Sequence, residues 1–122
     1  MRHRKKLSKL NRPSDQRLSL LNTLAKQLIT HGQIVTTQAR AKALAPYVDG
    51  MINKAIKGEV KDLRTINTRL NDRRVVYLLK HEIVPKLTRK SDGGYTRIVK
   101  MPPRRGDGSF QAMVAIMYEQ AD

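Results

Sequence analysis

The sequence predicts an α+β domain in which helices cover a small three-stranded sheet. Apolar residues recur every three or four positions over most of residues 14–87, which is the period of a helix. After Gly93 and Gly94 the period becomes two, as in a strand, and a second apolar segment follows a loop at 102–109. The chain has 122 residues and no Gly/Ser-rich linker. We therefore expect a basic arm at 1–13 and a single globular domain at 14–122.

The first half of the chain predicts a helix, a short strand and a second helix. Ser14 is a suitable N-cap for the first helix, and Gly32 is a suitable C-cap. The β-branched segment 33–36 is typical of a brief strand. Thr37 can cap the second helix, whose apolar series keeps its phase across Pro46. We therefore expect either a kinked helix or two helices that abut on one axis.

Two shorter helices are expected after Gly58, which is suited to end the second helix. Asp62 is a candidate N-cap for the third helix, and either Asn71 or Asp72 is a candidate for the fourth. Pro85 is expected to kink or end the fourth helix.

The last part of the chain predicts an antiparallel hairpin with strands at 95–101 and 110–119. An isolated hairpin is only marginally stable in water. We therefore expect it to form a three-stranded sheet with segment 33–36 under a cover of helices, in the order α-β-α-α-α-β-β. Tyr95 is expected in the core more than in a base stack, although the alternation leaves both roles open.

The sequence lacks the residue patterns of common enzymes and metal sites. There is no Cys, and the His residues at positions 3, 31 and 81 are far apart. His81-Glu82 lacks the second His of a zinc protease, and no phosphate-binding loop or nucleophile elbow occurs. Arg105-Gly106-Asp107 matches a cell-adhesion tripeptide, which we interpret as coincidence because we expect neither disulfides nor a secretory leader. We expect no catalysis, no cofactor, no metal and no small-molecule substrate. No apolar run approaches the length of a membrane span, so we also expect no membrane insertion.

Positive charge is abundant and concentrated in two stretches. The chain has 25 Lys and Arg against 10 Asp and Glu, a net charge of +15. Residues 1–12 contain six basic residues and no acid, and residues 86–105 contain seven basic residues and one acid. A polyanion relieves the repulsion within such stretches and releases its own counterions. The alternative is a pair of solvated faces that keep the protein soluble, a role that mixed charges also serve. Aromatic residues make up only 4% of the chain, which favours contacts with the phosphates and shape of folded RNA over base stacking.

The candidate RNA contacts belong to three groups: the arm, the start of the second helix, and the hairpin. Helix N-termini attract anions, although Thr37 is equally suited to capping alone. Arg97 and Lys100 differ in strand parity, so at most one of them belongs to a flat sheet surface. The arm candidates are Arg2, His3, Arg4, Lys5, Lys6, Lys9 and Arg12; the helix candidates are Thr36, Thr37, Arg40 and Lys42; and the hairpin candidates are Arg97, Lys100, Arg104 and Arg105.

Three ordered blocks give the chain a resemblance to a known family. They are MRHRK at 1–5, IVTTQARAK at 34–42, and GGYTRI at 93–98, which is followed by RGD at 105–107. These blocks resemble the ribosomal protein L17 family of the bacterial large ribosomal subunit, over nearly the whole chain. Asn53 stands where the family usually has Thr, and residues 57–92 match only loosely.

The resemblance implies a two-layer α/β sandwich and a structural role in the ribosome. It implies binding to large-subunit ribosomal RNA near the polypeptide exit, beside other large-subunit ribosomal proteins. It places the protein on ribosomes of a bacterial cytoplasm, or of a plastid or mitochondrion. The composition alone leaves two other interpretations open. One is a free DNA-architectural or transcription-associated protein, and the other is a membrane-surface protein that uses the basic arm.

Overall fold

The computed structural model describes residues 14–88 and 93–118. All seven arm candidates lie outside these residues, so the predicted division into an arm and a domain remains an expectation. The described part has four α-helices and three strands in the predicted order. They are α1 (Ser14–His31), β1 (Gln33–Thr37), α2 (Gln38–Lys57), α3 (Val60–Leu70), α4 (Arg73–Leu78), β2 (Thr96–Met101) and β3 (Gln111–Ile116).

The three strands form one antiparallel sheet in the order β1-β3-β2. The last strand of the chain therefore lies in the centre, and the hairpin joins it to β2. Residues that lie directly opposite one another on neighbouring strands form a row, as Val35, Met113 and Val99 do. The side chains of one row lie on the same face of the sheet. The register therefore decides which side chains of each strand face the helices.

Helices α1 and α2 cover one face of the sheet, which confirms the predicted two-layer α+β architecture. The covered face of β3 carries Ala112, Val114 and Ile116, which are all buried. In the described part of the chain, the opposite face has no helix packed on it, and Val35 there is 52% exposed. Helix α3 packs on α1 and α2, and α4 packs on α1 and α3, rather than on the sheet. The core is therefore one layer of apolar side chains between sheet and helices, continued among the helices.

Most of the predicted helix ends are confirmed. Gly32 and Gly58 adopt positive φ angles of 84° and 68°, which end α1 and α2 without the steric cost of a Cβ atom. The Thr37 hydroxyl accepts a hydrogen bond from the Arg40 N–H at 3.4 Å, so this residue does cap α2. The Asp72 carboxylate accepts bonds from two N–H groups at the start of α4.

The prediction that Asp62 caps the third helix is wrong. Helix α3 begins earlier, at Val60, and Glu59 takes the N-cap position without a side-chain bond. The first helical hydrogen bond runs from the Leu63 N–H to the Glu59 carbonyl at 3.0 Å. Because Gly58 ends α2 abruptly, Gly58 and Glu59 suffice to connect the two helices, and Asp62 becomes a buried residue of the first turn.

The two prolines act differently. Helix α2 is one continuous helix with Pro46 inside it. After α4 the helical path widens into a π-helical turn at Leu79–Ile83 and tightens into a 3₁₀ turn at Val84–Lys86. Pro85 has no N–H and its ring crowds the carbonyl four residues earlier, so the α-helical pattern cannot continue there.

Tyr95 belongs to the core and fixes the start of β2. Its side chain is 1% exposed, and its hydroxyl donates to Asn53 Oδ1 on α2 at 2.6 Å. One helical turn earlier, the Asp49 carboxylate accepts the Thr96 hydroxyl at 3.1 Å and bonds from the backbone of residues 94–96. Partial burial raises the pKa of Asp49, and these hydrogen bonds oppose that rise. Helix α2 thus sets where the hairpin begins.

Candidate nucleic-acid interface

The hairpin loop at 102–110 is braced by its own hydrogen bonds. The Gly108 N–H donates to the Arg104 carbonyl at 2.9 Å, and the Arg104 N–H donates to the Ser109 carbonyl at 2.8 Å. Gly106 and Gly108 have positive φ angles of 97° and 67°, which this tight path requires. The loop is therefore held in one shape although all its residues except Ser109 are exposed.

Arg104 serves the loop itself. Its guanidinium donates to both carboxylate oxygens of Asp107, at 3.1 and 2.5 Å, and Asp107 also accepts the Ser109 N–H at 3.1 Å. The guanidinium holds the pKa of Asp107 well below its usual range. The Asp of the Arg-Gly-Asp tripeptide is thus engaged inside the loop. Its charge cancels that of Arg104, which leaves Arg105 as the exposed uncompensated cation of the described loop residues.

The fold brings the start of α2 against the base of this loop. The Gln38 N–H, at the first residue of α2, donates to the Phe110 carbonyl at 3.1 Å. Thr37 lies opposite Gln111 in the sheet register. Two of the three candidate groups, which are some 60 residues apart in the sequence, are therefore neighbours.

The sheet register places Lys100 at the same end and Arg97 further away. Lys100 is opposite Ala112, one row from the pair of Thr37 and Gln111, so it lies on the helix-covered side and Thr37 on the uncovered side. Its side chain is exposed on the edge strand. Arg97 is opposite Ala115, three rows along the sheet, which corresponds to roughly 10 Å. The prediction that Arg97 and Lys100 face opposite sides of the sheet is confirmed, with Arg97 on the uncovered side.

Besides Arg97 and Arg104, two further candidates do not join this group. Thr36 is 9% exposed on the helix-covered side of the sheet, where a phosphate does not reach it. Lys42 is exposed, but it lies beyond the first turn of α2 and about 200° around the helix from Arg40, whose N–H bonds to Thr37.

Phe110 is a residue of this region that sequence reasoning missed, because it was assigned to the last strand. Helix α2 and Phe110 are linked through the Gln38 N–H, and β3 begins only at Gln111. The Phe110 side chain is 66% exposed. The predicted strand 110–119 is thus shorter than expected. Beyond Ile116, Tyr118 forms an isolated bridge with Leu87, and the backbone of Met117 bonds to Tyr95 and Thr88. We call Thr37, Arg40, Lys100, Arg105 and Phe110 the loop-end surface.

Comparison with known proteins identifies the family. The family model described as ribosomal protein L17 matches residues 20–117. This chain belongs to the ribosomal protein L17 family. The expectation drawn from the three sequence blocks is confirmed, and with it a structural rather than catalytic class of protein.

Relatives of the L17 family cover the full length of the chain. A protein of Rubrobacter xylanophilus is 42% identical over 122 residues, which is 100% of both chains. A protein of Thermus thermophilus is 43% identical over 118 residues, 96% of this chain and 99% of its own. A protein of Petrotoga mobilis is 42% identical over 125 residues, 96% of this chain and 97% of its own. All three are named large ribosomal subunit protein bL17.

The described residues contain neither a cluster of metal-ligating side chains nor a membrane-spanning helix. No group of three or more His, Cys, Asp or Glu side chains is arranged to hold a metal ion in residues 14–88 and 93–118. Within the same ranges, no helix has the length and apolar character needed to cross a bilayer.

Proposed function

We propose that this protein is a structural constituent of the large ribosomal subunit and that it binds large-subunit ribosomal RNA. The observation that carries this proposal is the L17 family match over residues 20–117, joined to full-length relatives that are named as large-subunit proteins. In this proposal the protein works on ribosomes, and its partners are the RNA and neighbouring ribosomal proteins.

The loop-end surface supports the RNA contact on physical grounds. Arg105 stands on a loop that the Arg104–Asp107 pair holds in shape, so little conformational entropy is lost when a phosphate binds. Lys100 and Arg40 add two cations at the same end of the sheet. The start of α2 adds the partial positive charge of a helix N-terminus. Cations and a helix dipole at one end of the sheet are suited to the phosphates of folded RNA.

The basic arm extends this proposal to residues 1–13. Its six Lys and Arg side chains are present without a compensating acid. In the proposed complex they neutralise RNA phosphates, while the domain fixes where the arm leaves it. A location near the polypeptide exit, which the family resemblance implies, is also part of the proposal.

Sucrose-gradient fractionation of cells that express the tagged full-length protein tests the proposal. We expect the protein to migrate with the large subunit and to stay there through a moderate-salt wash. Recovery in nucleoid fractions would instead favour a DNA-binding protein and would contradict the proposal. A map of the isolated particle then tests the location near the polypeptide exit.

Charge variants of the full chain test the surface itself. The double variant Lys100→Ala, Arg105→Ala should bind ribosomal RNA more weakly, with a slope of log affinity against log salt that is smaller by about two, or one per lost phosphate contact. Lys61→Ala is the control. This lysine lies on α3, away from the sheet, and it pairs with Glu59, the N-cap residue of that helix. An unchanged slope in the double variant would remove the loop-end surface from the RNA interface.

A further inference from the structure

A groove of about 360 Å³ lies between α3 and the helical segment 73–83, on the part of the molecule that does not touch the sheet. Val60, Leu63 and Val76 contribute apolar side chains to its lining, and Val60 is 64% exposed. An exposed apolar groove on a strongly charged protein is a common sign of a binding site.

An aromatic pair lines one part of this groove. The rings of Tyr77 and His81, one helical turn apart, have centroids 4.3 Å apart and planes tilted by 34°. Tyr77 is 62% exposed although it is a large aromatic residue. An exposed ring held by a neighbouring ring is a stacking platform for a flat aromatic ligand.

The charged residues of the groove are all basic. Arg64, Arg73 and Lys80 line it, and none of the described lining residues is an acid. The Lys80 ammonium group donates to the Gly58 carbonyl at 3.4 Å, which holds this cation at the groove. In the described part of the chain neither arginine forms an ion pair. The ligand that complements this lining is aromatic and carries negative charge.

The ring pair separates two ligands that match this description. An acidic amphipathic helix fills an apolar groove with apolar side chains and needs no flat ring to bind. A nucleobase stacks on an exposed ring, and its phosphate carries the negative charge that the cations complement. The nucleotide therefore satisfies the rings and the cations together.

We propose that this groove binds an unpaired nucleotide of RNA, with its base on Tyr77 and its phosphates near Arg64 and Arg73. This inference rests on the proposed ribosomal role and adds to it a second RNA site. The loop-end surface lies on the sheet and the groove lies on helices that do not contact the sheet. The domain therefore contacts two separate RNA segments and holds them at a fixed distance.

NMR titration of the full-length protein tests the groove residue by residue, so that binding at the arm does not obscure the result. The probe is hexaadenylate RNA, and the comparison probe is an abasic hexaribose phosphate with the same charge. We expect the signals of Tyr77, His81 and Asn67 to shift with hexaadenylate and not with the abasic strand.

Two variants make the test sharper. Tyr77→Leu keeps an apolar side chain and removes the ring, and it should weaken hexaadenylate binding at the groove by about fivefold or more. Tyr77→Phe keeps the ring and should bind like the wild type. Because Tyr77 is exposed, both variants are expected to fold, and circular dichroism checks this.

Three outcomes would overturn the inference. They are equal shifts with the abasic strand, wild-type binding by Tyr77→Leu, and groove shifts produced only by an acidic Leu/Glu amphipathic peptide, which would assign the groove to a protein partner. None of these outcomes touches the sucrose-gradient result or the Lys100 and Arg105 variants. Failure of the groove and failure of the ribosomal role are therefore distinguishable.

Discussion

Removal of one hydroxyl at Tyr95 tests whether this residue holds the fold or contacts RNA. The structure buries the ring and joins its hydroxyl to Asn53 Oδ1 at 2.6 Å. Tyr95→Phe keeps the ring, so no cavity opens. Asn53 is exposed, so its freed oxygen binds water and no buried polar group is left unsatisfied. The loss is then that of one ordinary hydrogen bond, about 1 kcal/mol, compared with about 3–5 kcal/mol for removal of a whole aromatic ring from a core.

The assay for Tyr95→Phe is urea unfolding followed by circular dichroism, together with affinity for ribosomal RNA. We expect a lower free energy of unfolding by about 1 kcal/mol, a melting temperature lower by about 3–6 °C, and unchanged RNA affinity. Tyr77→Phe is the control, since its exposed hydroxyl should contribute less than about 0.5 kcal/mol. A Tyr95→Phe variant with normal stability and weakened RNA binding would refute the assignment of Tyr95 to the core.

Three further predictions concern a partly buried acid, the loop and the arm. Folding raises the pKa of Asp49, so the folded protein holds the proton of this carboxyl group more tightly than the unfolded chain does. The stability that this proton contributes is therefore lost as the pH rises from 3.8 through the raised pKa. The unfolding free energy of the wild type relative to Asp49→Asn should accordingly increase as the pH falls through that window, and urea titrations that show the opposite slope would contradict this sign. Asp107→Asn should release Arg104 and make residues 104–109 more mobile, which ¹⁵N relaxation measures; unchanged order parameters would show that the ion pair does not brace the loop. Deletion of residues 2–12 should leave the thermal transition cooperative but weaken RNA binding and lower the salt slope by up to about five, whereas loss of cooperativity would show that the arm is part of the core.

Local signals predicted most of the elements because they act over a few residues. Gly32 and Gly58 end helices because only glycine enters the left-handed region without strain, and this needs no knowledge of the rest of the fold. Asp72 and Thr37 cap helices for an equally local reason, since their side chains reach N–H groups two or three residues ahead. Asp62 has the same chemistry, but its helix begins at Val60, and the burial of the side chain became its dominant feature.

The sequence predicted most of the residues of the candidate site but not their arrangement. In the sequence, Arg104 and Arg105 are adjacent basic residues, and the charge pattern gives them the same predicted role. The folded loop separates them, since one guanidinium pairs with Asp107 and the other remains exposed. The strand order β1-β3-β2 brings Thr37 beside the loop, and no local pattern contains that order. The apolar run also begins at Phe110, whereas β3 begins one residue later, at Gln111. Phe110 therefore lies outside the strand, and its side chain is exposed.

The amino-acid sequence by itself determined the family, the succession of helices and strands, and the segregation of charge into two basic stretches, because each of these follows from residue types and short spacings. The tertiary structure alone decided which cations are free and which are paired, which end of the sheet carries them, and that Asn67, Tyr77 and Arg64 line one groove. The physical reason is that burial of apolar side chains chooses how distant segments pack. Every polar contact between those segments follows from that choice.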